Sequence, residues 1–321
     1  MNPEEIKKIA VIGLGTMGPG LAEVFAQAGC QVTGYDANPE AAMSCRKVIQ
    51  AILETLDEFK LASHEEAQAI MANIHYADSL EAAVRDAQIV IEAISENPKA
   101  KQDIYAQIDR SAPAGSLIWS NTSSLNIYEL IPSGRAGETI IAHWFAPPHI
   151  IPLVEVVKGP RTAPATVETT LAMLKRMGKM PIVLEKYVPG FIINRIQRIM
   201  GREVLFLLNG GYISQEDLDL AAKASLAPRM MVLGLVQRYD FTGLDLSARN
   251  LLDEDFFDPP IDNKPAALYS KIEQGDLGVK TGKGFYDYGG REVSEVLKTR
   301  DRYLLKVMQS LKFCLENKRL V

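Results

Sequence analysis

The hexapeptide Gly13-Leu14-Gly15-Thr16-Met17-Gly18 constrains this chain more than any other segment because of what flanks it. Before it, KKIAVIG reads as a strand ending at Gly13. After it, Met17 to Ala28 reads as a helix, and QVTGYD as a second strand ending at Asp36. The three pieces form a βαβ unit. GxGxxG alone punctuates many strand-to-helix turns, but in this frame each glycine answers a separate steric demand. Gly13 permits the tight turn, Gly15 lets the backbone approach a pyrophosphate, and Gly18 allows close helix-to-strand packing. The turn residues Thr16 and Met17 lead into a helix N-terminus whose free amides stabilise phosphate charge. Asp36 is placed to accept from a ribose 2′-hydroxyl and to repel a 2′-phosphate. No arginine follows it directly, so NAD is expected over NADP. The plainer reading of Asp36 is a solvated residue at a strand end.

Further strands are expected at AQIVIEAI, SLIWSNT, TIIAHWF and LVEVV, with a helix from about Pro98 to Ile108 between the first two. Pro39 to about Asn73 is helical in pattern, broken at KLASHEEA, where Ser63 precedes Glu66 at capping-box spacing. Strands alternating with helices predict an α/β, doubly wound, mostly parallel sheet with a helical hairpin. The pattern changes at Val188-Pro189-Gly190. From Phe191 to about Tyr239 the chain reads as helix with a Gly-Gly stop, and a final helix is expected from Arg291 onward. The expected division is residues 1–187 as the NAD-binding domain and 188–321 as an all-α domain for substrate and dimerisation.

Two domains agree with 321 residues at 47% hydrophobic content. A net charge of −5 gives no footprint for nucleic acid or an anionic membrane. The longest apolar runs fall short of a bilayer span, and MNPEEIKK lacks a signal peptide's apolar region, so a cytoplasmic protein is expected. Cys30, Cys45 and Cys314 show no paired spacing and read as reduced packing residues; no metal site is expected.

His143 ends one β-rich run, and Glu155, twelve positions on, interrupts another, LVEVV, where a charge is costly unless paired. A carboxylate against an imidazole fixes its tautomer and suits it to act as a general base. The alternative is a satisfied core or surface histidine. His149 is the rival imidazole, in a turn after Pro147-Pro148. Asn121-Thr122-Ser123-Ser124 follows the strand SLIWS at the carboxyl end of a parallel sheet, where such sheets place ligands. Ser123 there either hydrogen-bonds a reacting hydroxyl or the segment caps a following helix. Asn194, in GFIINR, faces the core or a site.

Taken together, GLGTMGPG, ENPKAK (Glu96 to Lys101), SNTSSL (Ser120 to Leu125), HWFAPPHIIPLVEVVKG (His143 to Gly159), PGFIINR (Pro189 to Arg195) and GVKTGKGFYDY (Gly278 to Tyr288) resemble the 3-hydroxyacyl-CoA dehydrogenase superfamily in order and spacing. The resemblance implies a Rossmann-like NAD domain with a helical hairpin after its second strand and an all-helical C-terminal domain that dimerises. It implies His143 as catalytic base, Glu155 as its partner, and Ser123 and Asn194 as hydrogen-bonding residues around the reacting carbon. It further implies that Glu96 and Lys101 lie near the nicotinamide and its ribose, that Asp36 holds the adenosine ribose, and that Asn121 belongs to the cofactor site. The activity implied is hydride transfer between NAD and a 3-hydroxy acid or its CoA thioester.

The chain also departs from that pattern. Ala146 stands where the acyl-CoA members carry the asparagine of HFFNP, and the following residues look more like the L-gulonate, carnitine and pyridine-aldehyde dehydrogenases. The hairpin segment AILETLDEFKLASHEEA is net acidic, a poor match to the phosphates of coenzyme A, with Arg46, Lys47 and Lys60 the basic residues nearby. A small non-CoA substrate is therefore the second reading. A redox-silent NAD-binding or structural protein is the third, against which stands the joint presence of His143, Glu155, Ser123 and Asn194. Arg195, Arg198 and Arg202, at i, i+3 and i+7, are either a carboxylate-binding face or a structural or interface stripe.

Overall fold

The computed structural model of the chain describes residues 2–316 apart from 254 and 256. Contacts divide it into two compact units, Met1–Arg195 and Ile196–Val321.

The first unit is built on one eight-stranded sheet in the order β3-β2-β1-β4-β5-β6-β7-β8. Its first half contains β1 (Lys8–Ile12), α1 (Gly18–Gln27), β2 (Gln31–Tyr35), α2 (Ala41–Glu58), α3 (His64–Ala72), β3 (Ile74–Tyr76), α4 (Leu80–Val84) and β4 (Ile89–Glu92). It continues through α5 (Pro98–Ser111), β5 (Leu117–Ser120), β6 (Thr139–Trp144), β7 (Leu153–Val157), α6 (Pro164–Arg176) and β8 (Met180–Leu184). Every strand pair is parallel except β6 with β7. That reversal follows from chain length: Phe145 to Pro152 is too short for a crossover helix, and a short connection returns the chain antiparallel.

Apolar side chains cover both faces of the sheet, which is why its strands read as near-continuous hydrophobic runs. In β1, Ile9 and Val11 join one core with α1, α2 and α6, while Ala10 and Ile12 join a second core with α4 and α5. The break between α2 and α3 carries the capping box: the Glu66 amide donates to Ser63 Oγ, and the Ser63 amide to Glu66 Oε2. Three short elements, α4, β3 and β8, escape sequence reading. So does α6, whose Pro164 occupies its first turn.

One buried group in this unit is costly. Glu23 of α1 is fully buried, and neither carboxyl oxygen has a hydrogen-bond partner among the described residues. Burial raises its pKa from the ordinary 4.5 to about 8, with the charge of Lys179 opposing the shift. Lys179 donates to Pro148 O at 2.6 Å and Ile151 O at 3.4 Å, and burial lowers its own pKa to about 8.

The second unit is helical. α7 (Ile193–Asn209) enters it from the first unit, followed by α8 (Gln215–Ala221), a π-helical turn over Ala222–Leu226, α9 (Ala227–Leu233), α10 (Gln237–Thr242), α11 (Leu244–Asn250), α12 (Ala266–Glu273), α13 (Val293–Ser310) and α14 (Lys312–Leu315). The helical reading of Phe191 to Tyr239 holds in kind but not in continuity. The chain turns at Gly210-Gly211, at the expected Gly-Gly stop, and again at Gly234, where φ is +69° and no break was expected. Among the described residues Pro265 and Leu305 are the buried aliphatic side chains of this unit, whereas Phe241, Leu251, Leu252 and Phe257 are 60–87% exposed. No helix of the described residues is long and apolar enough to cross a membrane.

Because the folded-state pKa of Glu23 lies above its unfolded value, the unfolded chain loses that proton first, and stability falls as pH rises from about 4.5 toward 8. Lys179 acts above that window, since its lowered pKa makes stability rise between about 8 and its ordinary 10.5. Glu23→Gln is therefore expected to flatten the decline of Tm between pH 5 and 8 and to be no less stable than the parent at pH 8. Parallel Tm curves for the two proteins would refute this cause.

Candidate active site

The carboxyl ends of the parallel strands gather the chemistry. At the end of β1, Gly13 has φ of +98°, and a Cβ there would meet Ala93 O at 2.6 Å. A Cβ on Gly18 would meet Gly13 O at 2.2 Å, so helix and turn are in backbone contact. Around Gly15, by contrast, no atom lies within 4 Å of the Cβ position. The N-terminus of α1 has no side-chain cap, since Met17 occupies the cap position, so its amides remain for an anion. Thr16 lies in the same turn. Asp36 follows β2 and accepts from the Leu14 amide at 2.7 Å and the Asn38 amide at 2.8 Å, which ties the glycine turn to the strand end. Open backbone beside free helix amides, with a fixed carboxylate one strand away, fits a dinucleotide.

His143 and Glu155 are direct cross-strand partners in the antiparallel pair of β6 and β7. His143 Nδ1 lies 2.8 Å from Glu155 Oε2. The other carboxyl oxygen accepts from the amides of Ile192 and Ile193 at 3.0 and 2.9 Å. The end of the turn and the first residue of α7 deliver those amides, and the turn holds Phe191 at φ of +52°, a conformation that bulky residues rarely adopt. Phe191 is fully buried, its ring 5.3 Å from that of His143, while Phe145 flanks the imidazole at 4.6 Å. With every hydrogen bond at Glu155 coming from a donor, Nδ1 carries the imidazole proton and Nε2 is left as the basic nitrogen.

Ser123, Asn121 and Asn194 come together at the end of β5. Asn121 Oδ1 accepts from the Trp144 amide at 2.9 Å, joining the ends of β5 and β6. Asn194 Nδ2 donates to Ser123 O at 3.3 Å, leaving its second N–H for a ligand. Glu96 collects the Ser123 amide, the Ser123 hydroxyl at 2.8 Å and the Thr122 hydroxyl at 2.9 Å. Burial alone would raise the Glu96 pKa, but the Ser123 hydrogen bonds, the Lys101 charge and Thr122 outweigh it and hold the carboxyl below its ordinary value. The Ser123 hydroxyl proton is thus committed to Glu96, which leaves its oxygen as an acceptor only. The segment after β5 caps no α-helix; it leads into a short 3₁₀ turn at Ile127–Glu129.

Lys101 is deeply buried, its ammonium 2.6 Å from Glu92 Oε1 and 3.4 Å from Glu96 Oε2. Sequence reasoning missed Glu92 and Tyr105, although Glu92 interrupts IVIEAI much as Glu155 interrupts LVEVV. Of the remaining candidates, His149 lies beside α1, with Nδ1 3.8 Å from where a Gly20 Cβ would stand. Arg195 donates to Pro189 O at 3.3 Å. Among the described residues there is no cluster of His, Cys, Asp and Glu suited to a metal ion.

Residues 8–187 match the model of the 3-hydroxyacyl-CoA dehydrogenase NAD-binding domain, and residues 190–288 match that of the 3-hydroxyacyl-CoA dehydrogenase C-terminal domain. The chain belongs to the 3-hydroxyacyl-CoA dehydrogenase family. A 5-formyl-3-hydroxy-2-methylpyridine 4-carboxylate 5-dehydrogenase of Mesorhizobium japonicum is 33% identical over 309 residues, covering 95% of this chain and 98% of the relative. A probable 3-hydroxybutyryl-CoA dehydrogenase of Bacillus subtilis is 36% identical over 288 residues, covering 88% of this chain and 98% of the relative. A solved structure described as a 5-formyl-3-hydroxy-2-methylpyridine 4-carboxylic acid 5-dehydrogenase and NAD⁺-dependent dismutase superposes with a TM-score of 0.84 at 32% identity, covering 96% of this chain and 99% of that one. The protein is an NAD-dependent oxidoreductase acting on a CH–OH group.

The glycine geometry separates folding from cofactor binding. Gly15→Ala places a methyl in open space and is expected to leave Tm unchanged while weakening NADH binding at least about tenfold. Gly18→Ala drives a methyl into the Gly13 carbonyl and is expected to cost roughly 1–3 kcal/mol of stability. Thermal melts and NADH fluorescence titrations on the two variants distinguish these outcomes.

Proposed function

We propose that this enzyme oxidises the secondary alcohol of a 3-hydroxy acid or its CoA thioester, with His143 as general base and Glu155 as the carboxylate that orients it. The observation that carries this reading is the 2.8 Å contact of His143 Nδ1 with a Glu155 carboxylate whose other oxygen is held by two backbone amides. A base whose tautomer is fixed in this way takes the hydroxyl proton on Nε2, and the resulting imidazolium is stabilised by the carboxylate. Such a base contributes about 10² to 10⁴-fold in rate. Bound NAD supplies the hydride acceptor. In our reading Gly13, Gly15, Thr16, Met17 and Gly18 would hold its pyrophosphate, Asp36 its adenosine ribose, and Asn121, Glu96 and Lys101 its nicotinamide end. Asn194 offers an N–H to the reacting oxygen. Ser123 Oγ and His143 Nε2 both accept from the alcohol's one hydroxyl proton before His143 takes it, and in the reverse direction the Ser123 hydroxyl must turn from Glu96 to donate to a ketone.

The second reading, a small non-CoA substrate, is favoured by the acidic hairpin, where Glu54, Asp57, Glu65 and Glu66 flank the α2–α3 break and would repel coenzyme A phosphates. Near full-length similarity to a pyridine-carboxylate dehydrogenase supports it as well. We assign NAD binding to residues 1–187 and substrate contact and dimerisation to residues 188–321. The exposed Phe241, Leu251, Leu252 and Phe257 support a homodimer formed through that helical unit. A net charge of −5 and three free cysteines support a cytoplasmic enzyme that binds neither nucleic acid nor membrane.

NADH consumption is expected with acetoacetyl-CoA or with free acetoacetate, collapsing by at least about 10²-fold in His143→Ala and falling strongly in Glu155→Gln. Turnover with the thioester selects the first reading, and turnover confined to the free acid selects the second. Full activity in His143→Ala would remove the base from the mechanism. In sedimentation, the chain is expected at twice its own mass.

A further inference from the structure

The Glu92 carboxylate, at the end of β4, is fully buried and has all of its acceptor positions filled. Oε1 accepts from Lys101 Nζ at 2.6 Å and the Ile94 amide at 2.9 Å. Oε2 accepts from Tyr105 OH and Ser120 Oγ, each at 2.6 Å. These four donors come from the β4 loop, from α5 and from the end of β5. Burial and the Glu92 charge push the Tyr105 phenol well above its ordinary pKa, so it stays a donor.

Two connections run from this cluster to Ser123. Ser120 Oγ, anchored on Glu92, accepts from the Thr122 amide at 3.3 Å. Lys101, with Ile94 O as a third acceptor at 3.5 Å, is shared between Glu92 and Glu96, and Glu96 captures the amide and hydroxyl of Ser123. The sharing is unequal. Glu92 holds the ammonium about an ångström closer than Glu96 does, so Glu96 keeps an oxygen for Ser123. Without the Glu92 charge, a buried ammonium has Glu96 as its one remaining anion, and it would compete there with the Ser123 hydroxyl.

We infer that Glu92 is a positioning residue for Ser123: by retaining Lys101 it leaves Glu96 free to fix the orientation of the Ser123 hydroxyl. The inference rests on the reading of Ser123 as a residue that contacts the reacting alcohol. Lys101 acts through Glu96 in this arrangement, since its ammonium is enclosed by Glu92, Ile94 O and Glu96.

Glu92→Gln tests it, because the carboxamide can turn its oxygen to Lys101 while the Tyr105 and Ser120 hydroxyls reverse to accept from its nitrogen. The expected result without substrate is an upfield move of the Ser123 amide proton in the ¹H–¹⁵N spectrum, with Gly13 and Gly18 unmoved and NADH affinity within about twofold. With a turning-over substrate, kcat is expected to fall about tenfold, with KM for NAD unchanged. On a Ser123→Ala background the same substitution is expected to change kcat by less than about twofold, whereas a merely structural defect would multiply. An unmoved Ser123 amide, or multiplicative losses, overturns the inference. Unchanged kcat in Ser123→Ala alone would instead overturn the role of Ser123. Should Glu92→Gln fail to fold, Tyr105→Phe removes one Oε2 donor and is expected to move the same resonance in the same direction by less.

Discussion

A charged carboxylate inside a protein is tolerated only when its oxygens are hydrogen-bonded, and the arrangement around Glu155 answers that requirement. Three donors reach it, and each imposes something on the chain. His143 must lie directly across the sheet, which requires β7 to run antiparallel to β6 in this register. The amides of Ile192 and Ile193 must point inward, which requires the turn at Pro189-Gly190-Phe191 and the unusual backbone of Phe191. Strain there is tolerated because the alternative is an unsatisfied buried anion, a cost of several kcal/mol. The start of α7, and with it the position of Asn194, follows from the same demand.

Glu92 meets the same requirement at the other end of the site. Both acids interrupt apolar strands, both are fully buried, and both hold a loop through backbone amides as well as a side-chain cation or imidazole. Their difference lies in what they hold. Glu155 grips a ring that, in the proposed mechanism, gains and loses a proton, whereas Glu92 grips the buried Lys101. One is suited to proton transfer and the other to geometry. Glu23 is the contrasting case, a buried acid with no hydrogen-bond donor among the described residues, and its strongly raised pKa marks the energetic difference.

The first βαβ unit is legible in the sequence because its signals are local: a glycine turn whose spacing follows from sterics, a strand period, and an acid at the next strand end. Ser63 and Glu66 announce the hairpin break for the same reason. The edge strands β3 and β8 are not legible. β3 is three residues long, and β8 has alternating exposed positions and a proline, so neither carries the hydrophobic run of a central strand. The segment from the Gly210-Gly211 stop to Tyr239 reads as helix throughout because apolar spacing persists across Gly234, and that periodicity cannot show where a glycine with positive φ breaks the run. At the site, Glu155 stands out as a charge among valines. Glu92 carries the same mark, but its partners Tyr105 and Ser120 lie 13 and 28 positions away, and only the fold brings them together.

Under the proposed function, the direction of proton flow would follow from these contacts. A hydroxyl whose proton is held by a carboxylate can meet an incoming alcohol only as an acceptor, so the alcohol's one proton would be shared between Ser123 Oγ and His143 Nε2 until the base takes it. In the opposite direction, a ketone meets the Asn194 N–H and an imidazolium, and Ser123 contributes a donor only by breaking from Glu96. The firmness of the Glu96 grip therefore weights the site toward receiving alcohols. That firmness depends on how much of Lys101 is left to Glu96, so a carboxylate with no access to substrate bears on which oxidation state of the substrate the site receives more readily.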